Sequence, residues 1–193
     1  EVDPTQMVTN ASARVGDALV LTKPIGSGVI ATAIKSGEAP EKVIKSAVDF
    51  MTQLNADAAS VMVTNGVTTA TDVTGFGLLG HLRGLMRASK ASAKLHADAV
   101  PLLPGAKMLA AAGHVPGGSK RNLADLASDV HFSPSVDEVT KILLSDAQTS
   151  GGLLMSVPQE ILKDVENGLE KTSCIAAVIG RVVQGQAGTI EVI

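Results

Sequence analysis

Apolar residues recur along this chain in two rhythms, short continuous runs and three-and-four spacings, so an order of elements can be read before any chemistry. From Pro40 to Leu54, the side chains Val43, Ala47, Phe50 and Leu54 fall on one helical face, with Pro40 suited to a first turn and Glu41 four residues before Lys45. Ala56 to Thr64 predicts a second, shorter helix with Asn55 as its cap and Asn65-Gly66 as its stop. Val67 to Thr71 then reads as a strand that delivers Asp72 to its end, and Leu78 to Ser89 as the helix that follows. Asp17 to Thr22, Ala93 to Ala97, Val130 to Ser133, Leu153 to Val157, Ala177 to Val183 and Gly188 to Ile193 predict further strands. Further helices are expected at Ala106 to Ala112, Val136 to Leu144 and Pro158 to Leu169, the last with Ile161, Leu162, Val165 and Leu169 on one face. Between Val100 and Val130 the pattern is broken by Pro101, Pro104, Gly105, Gly113, Pro116, Gly117 and Gly118, and that segment is expected to be an ordered but mobile excursion.

Composition narrows the picture. At 193 residues the chain suits one domain with a substantial core, yet it has three Phe and no Trp or Tyr, so that core must be aliphatic. Phe76 stands between Gly75 and Gly77, and it is expected to anchor a glycine loop by burying its ring; a ring stacked on a nucleobase is the alternative. The net charge of −3 and the lack of a Lys/Arg stripe argue against a nucleic-acid partner. Lys120-Arg121 is the one notable basic pair of its neighbourhood, either a solvated surface turn or a contact to a substrate phosphate. No apolar run approaches the ~20 residues of a membrane span and no signal-peptide pattern opens the chain, so the cytoplasm is expected and a membrane partner is not. The single cysteine, Cys174, excludes an internal disulfide framework and is expected to be a buried structural thiol. His81, His96, His114 and His131 match no local zinc spacing, and His81, one turn into its helix, is expected to make a structural hydrogen bond.

The chemistry concentrates in Ala70-Thr71-Asp72-Val73-Thr74-Gly75-Phe76-Gly77-Leu78-Leu79-Gly80-His81. A carboxylate stands before a glycine-rich turn that opens a helix. Backbone N–H groups at a helix N-terminus carry partial positive charge, and glycines let a polyphosphate approach them. Asp72 could hold Mg²⁺ against such an anion, because a hard cation bound to phosphates needs only one or two protein carboxylates. The same residues also suit any strand-turn-helix corner, where Asp, Thr and Gly are favoured for turn and capping reasons.

A second run, Leu143-Leu144-Ser145-Asp146-Ala147-Gln148-Thr149-Ser150-Gly151-Gly152-Leu153-Leu154-Met155, again passes from polar turn residues through a glycine pair into an apolar strand. Together with Gly16-Asp17-Ala18-Leu19-Val20-Leu21-Thr22-Lys23-Pro24-Ile25-Gly26-Ser27-Gly28 and Pro116-Gly117-Gly118-Ser119-Lys120-Arg121-Asn122, these runs resemble, in the same chain order and over essentially the whole chain, the C-terminal half of the selenophosphate synthetases (selenide, water dikinases). One departure is Ala147, where the family usually carries proline before Gln148; its loss would loosen a turn without removing a chemical group.

The resemblance implies an α+β fold, a mixed sheet flanked by helices like the C-terminal domain of aminoimidazole ribonucleotide synthetase. It implies that residues 1–193 form a single C-terminal domain of a two-domain enzyme whose N-terminal ATP-binding and catalytic half is absent, and the start on Glu1 fits that expectation. In the parent, ATP and selenide would be substrates, Mg²⁺ the metal, and a homodimer the assembly. Asp72 would supply the metal carboxylate, Thr74 and Gly75 would cradle phosphate oxygens, and no residue of this half would be the catalytic nucleophile. A related ATP-dependent synthetase of the same superfamily, or a module that turns nothing over when isolated, are the competing readings.

Overall fold

The structure, a computed structural model, describes residues 7–193. In chain order it runs β1 (Ala18–Leu21), α1 (Ser27–Lys35), α2 (Glu41–Thr52), α3 (Ala56–Thr64), β2 (Thr69–Asp72), α4 (Gly77–Ala88), β3 (Ser92–Leu95) and a 3-10 turn (Ala97–Ala99). It continues with α5 (Ala106–Ala111), α6 (Gly117–Asp125), β4 (Val130–Phe132), α7 (Glu138–Leu144), β5 (Leu153–Val157), α8 (Gln159–Glu170), β6 (Ala177–Val183) and β7 (Ile190–Val192). The strands make one sheet in the order β2-β5-β1-β6-β3-β7-β4. Pairing is antiparallel from β2 to β3 and parallel through β3, β7 and β4, so the sheet is mixed, as expected.

Strand β1 is buried at all four positions because helices cover both of its faces. Leu19 and Leu21 join a cluster with Leu78, Leu79, Leu82, Leu85 and Met86 of α4, and each of these side chains contributes on the order of 1.5–3 kcal/mol through its removal from water. Ala18 and Val20 face the other way, onto Ala58 and Met62 of α3 and Val165 and Leu169 of α8. A third cluster joins α1, α2, α5 and α7 through Val29, Ile30, Ala47, Phe50, Leu109 and Leu143. Among the described residues no helix is long and apolar enough to cross a membrane.

Several sequence expectations are corrected. Leu54 lies beyond the end of α2 and is exposed, because Gln53 already has extended backbone. Asn55 makes no side-chain cap to α3; its amide instead donates to the Gly151 carbonyl at 2.9 Å. The helices α1 and α6 were not expected; within the excursion from Val100 to Val130, α5 stands where a short helix was expected and α6 is additional. Helix α1 follows Gly26 and α6 opens on Gly117, and both obtain part of their support from distant residues, as the site shows.

Candidate functional site

Strand β2 sits at the edge of the sheet, paired to β5 in a register that sets Asp72 opposite Leu153. The Val73 N–H donates to the Gly152 carbonyl at 2.9 Å, continuing that pairing one residue into the loop. Asp72 is exposed, and its carboxylate makes no hydrogen bond or ion pair with any described residue. The Thr74 N–H donates to Nε2 of His81 at 3.0 Å, and the Thr74 carbonyl accepts from Gly77 and from Gln148, each at 3.0 Å. Gly75 is exposed and its carbonyl accepts from Nδ2 of Asn122 at 2.9 Å. Gly77 has φ +70°, and a Cβ there would lie 2.6 Å from the Ser145 carbonyl, so only glycine lets the loop rest on that carbonyl. Helix α4 then starts with no side-chain cap and no acidic residue in its first turn, which leaves its positive end uncompensated by its own side chains.

His81 behaves as expected, as a structural acceptor for the loop. Burial pushes its pKa below the ordinary histidine value, with the Asp72 carboxylate partly opposing the shift, so the neutral ring that can accept from Thr74 is favoured. Phe76 does not behave as expected. Its ring is 70% exposed, 5.8 Å from the imidazole of His81, because the turn is anchored by polar contacts and by Gly77 rather than by a buried ring.

The second glycine run is brought directly against the first, but its polar residues are used inside the fold. Asp146 is fully buried and reaches the N-terminus of α1, more than a hundred residues away in sequence. Its Oδ2 accepts from the Gly28 and Val29 N–H groups at 3.0 and 3.2 Å and from Nε2 of Gln148 at 3.0 Å, while Oδ1 accepts from Ser119 Oγ at 2.7 Å. The Gln148 side-chain oxygen accepts from the N–H groups of Gly26 and Ser27 and from the Ser27 hydroxyl. A Cβ at Gly28 would stand 2.4 Å from the Ala147 carbonyl, so that glycine is what admits the remote cap. Burial raises the Asp146 pKa against these hydrogen bonds. The N-terminus of α1 is thus filled by the chain's own carboxylate, and the second corner is a brace for the first. Asp146 had no role in the sequence reading; its only sequence signal is an acid directly after the apolar end of a helix, too common to single out.

Ala147 makes a contact proline could not: its N–H donates to Ser119 Oγ at 3.2 Å. The departure from the family pattern therefore exchanges ring stiffness for a hydrogen bond. The Gly151-Gly152 pair lets three segments cross, since a Cβ at Gly151 would lie 2.1 Å from the Val73 carbonyl and one at Gly152 would lie 2.6 Å from the Lys23 nitrogen. Lys23, likewise unassigned by sequence, is buried, and its ammonium donates to the carbonyls of Gln53 at 2.7 Å and Ser150 at 2.8 Å beneath the Phe50 ring. Burial pushes its pKa down, with Cys174 partly opposing. Cys174 itself is half-buried rather than buried, against the third apolar cluster and 4.0 Å from Nε2 of Gln53. Lys120 and Arg121 lie exposed on α6 rather than in a turn and form no ion pair with described residues.

Among the described residues no group of three or more His, Cys, Asp and Glu stands ready to hold a metal. An exposed Asp72 without a partner among the described residues would suit a cation whose remaining ligands come from phosphate oxygens, water or another part of the protein, as those of Mg²⁺ on a polyphosphate do.

Residues 14–193 match the model of the family described as AIR synthase related protein, C-terminal domain. Among curated relatives, the selenide, water dikinase of Myxococcus xanthus is 45% identical over 189 residues, covering 97% of this chain and 54% of its own length. That of Carboxydothermus hydrogenoformans is 41% identical over 191 residues, covering 99% of this chain and 55% of its own. The chain spans about half the length of these relatives. Among solved structures, the hydrogenase maturation protein HypE in complex with ATP covers all of this chain and 51% of its own, with a TM-score of 0.64 at 18% identity. Thiamine-monophosphate kinase from Stenotrophomonas maltophilia K279a covers 99% and 54%, with a TM-score of 0.61 at 16% identity. At these identities the two structures bear on the fold alone.

Proposed function

We propose that this chain, which belongs to the family of AIR synthase related C-terminal domains, is the C-terminal half of a selenophosphate synthetase. The parent enzyme passes the γ-phosphoryl group of ATP to selenide and hydrolyses the remaining ADP, giving selenophosphate, AMP and phosphate. The naming of the relatives supports the reaction, and the geometry of one carboxylate supports the part played by this half. Asp72 contributes a negative oxygen for Mg²⁺, which when bound neutralises charge that develops on the transferring phosphoryl group. Thr74 and Gly75 form the wall of the same cradle, held in place by His81 and by the second glycine run. The N-terminal half supplies the nucleophile and most nucleotide contacts, and the parent works as a cytoplasmic homodimer.

The observation that carries this reading is that Asp72 is exposed at the end of β2, with no hydrogen-bond or ion-pair partner among the described residues, beside an uncapped helix start. A turn or capping aspartate would be hydrogen-bonded to backbone, as Asp137 is at the start of α7. The test is selenide-dependent AMP release by the full-length enzyme and its Asp72→Asn variant. Turnover is expected to fall by about two powers of ten or more, as when a clamp on a transferring phosphoryl group is weakened. A fully active variant would remove the claim. The 193-residue chain alone is expected to release no AMP above an Asp72→Ala control.

A further inference from the structure

We propose that the backbone N–H groups of Ser150, Gly151 and Gly152 form an anion subsite for a phosphate oxygen, held from behind by the side chains of Lys23 and Asn55. The part it plays in turnover rests on the reading of Asp72 above; the binding of the anion does not.

The turn Thr149-Ser150-Gly151-Gly152 leads into β5, whose first residue, Leu153, is paired with Asp72. The Gly152 carbonyl accepts from Val73, so the turn adjoins the proposed metal position. Two carbonyls of the turn are claimed from the interior. That of Ser150 accepts from the buried Lys23 ammonium at 2.8 Å, and that of Gly151 accepts from Nδ2 of Asn55 at 2.9 Å. The same ammonium donates to the carbonyl of Gln53, two residues before Asn55, so both carbonyls are drawn toward the junction of α2 and α3.

In a planar trans peptide the N–H points opposite to the carbonyl. The N–H groups of Gly151 and Gly152 are therefore turned away from that junction. Neither they nor the Ser150 N–H has an acceptor among the described residues, although Gly151 and Gly152 are buried. Buried backbone donors are nearly always paired, so these two call for an acceptor that the fold itself does not supply. Ser150 has φ +54°, and successive N–H groups about a left-handed residue make a concavity that suits an anion. A cation on a peptide carbonyl polarises that peptide, so Lys23 makes the Gly151 N–H a stronger donor.

Amide exchange and ¹H–¹⁵N resonances of the 193-residue chain, titrated with orthophosphate and with ATP, test the subsite. The Gly151 and Gly152 amide protons should shift downfield and saturate. Their exchange should slow by about tenfold at saturation, as expected of a hydrogen bond to a charged acceptor. A response to orthophosphate shows that a free phosphate suffices, and a response to ATP alone assigns the subsite to a phosphate of the nucleotide. No response to either, or an equal response to chloride at matched ionic strength, would overturn the proposal. Asn55→Ala, which releases the Gly151 carbonyl, should raise the Kd about two- to tenfold. An unchanged Kd in the folded variant would also overturn it, and should the variant not fold, the parent titration decides. If Asp72→Asn proves fully active, the metal reading fails, while Gly151 and Gly152 still judge the subsite.

Discussion

The Thr74 amide donates to Nε2 of His81 at 3.0 Å, so the helix that follows the glycine loop carries the acceptor that closes it. The Thr74 hydroxyl lies 3.1 Å from the same nitrogen. This contact requires a neutral imidazole. Because burial holds the pKa of His81 below the ordinary histidine value, the unfolded chain binds more protons at mildly acid pH. Stability is therefore expected to fall as pH drops from about 6.5 towards the folded value. Thermal midpoints between pH 7.5 and 5 (an interval of about two units around the ordinary histidine range) should decline more steeply for the parent than for His81→Gln. Parallel curves would reject the assignment.

Asp72→Asn carries a second consequence besides activity. The variant should keep its thermal midpoint or gain slightly, since the Asp72 carboxylate has no hydrogen-bond or ion-pair partner among the described residues to lose. It should also lower the pKa of His81 further, because Asp72 is the group that opposes the burial effect. NMR titration of the His81 ring in both proteins checks this, and a rise would contradict it.

Asp146 predicts the opposite pH slope. Burial raises its pKa in the fold, so the folded chain holds the proton more tightly, and its contribution diminishes as pH rises from the ordinary aspartate value through the higher folded one. Asp146→Asn should remove that slope from the difference between variant and parent. Asp146→Ala should cost about 2–3 kcal/mol at neutral pH, because it takes the acceptor from the Gly28 and Val29 N–H groups and the Ser119 hydroxyl at a buried position. Urea unfolding measures both.

Lys23→Met keeps most of the buried stem but removes the donors for Gln53 and Ser150. A loss of about 2–3 kcal/mol is expected from the stranded carbonyls. Hydrogen exchange should report loosening at the end of α2 and around Ser150, whose φ of +54° is held by that contact and by its glycine neighbours. A neutral substitution would show the ammonium to be dispensable.

Cys174→Ser should change stability by no more than about 1 kcal/mol, since the side chain is only half-buried and has a single distant polar neighbour. In the full-length enzyme, AMP release should be nearly unaffected. A collapse of turnover with an intact fold would make the thiol a participant.

What was legible in the sequence is what is encoded locally. Helix α3 was predicted at Ala56 to Thr64 and β5 at Leu153 to Val157, the bounds they have, because each is framed by its own turn residues. Asp72 at the end of a strand, before a glycine turn, could be read for the same reason. Helices α1 and α6 could not, since the partners of their first turns, Asp146 for α1 and the two glycine runs for α6, lie far along the chain. Phe76 was misjudged because an aromatic residue in an aliphatic chain suggests burial. Gly77 and Asn122 already fix that loop, which leaves the ring at the surface.

The exposure of Phe76 makes the glycine turn open to an optical probe. With no tryptophan and no tyrosine, the protein is almost dark to near-ultraviolet fluorescence. Phe76→Trp would place the sole emitter at a solvent-facing position that tolerates a larger ring, directly on the glycine turn. Quenching or a spectral shift on adding nucleotide or Mg²⁺ would then report on that turn alone, against no background from the rest of the domain.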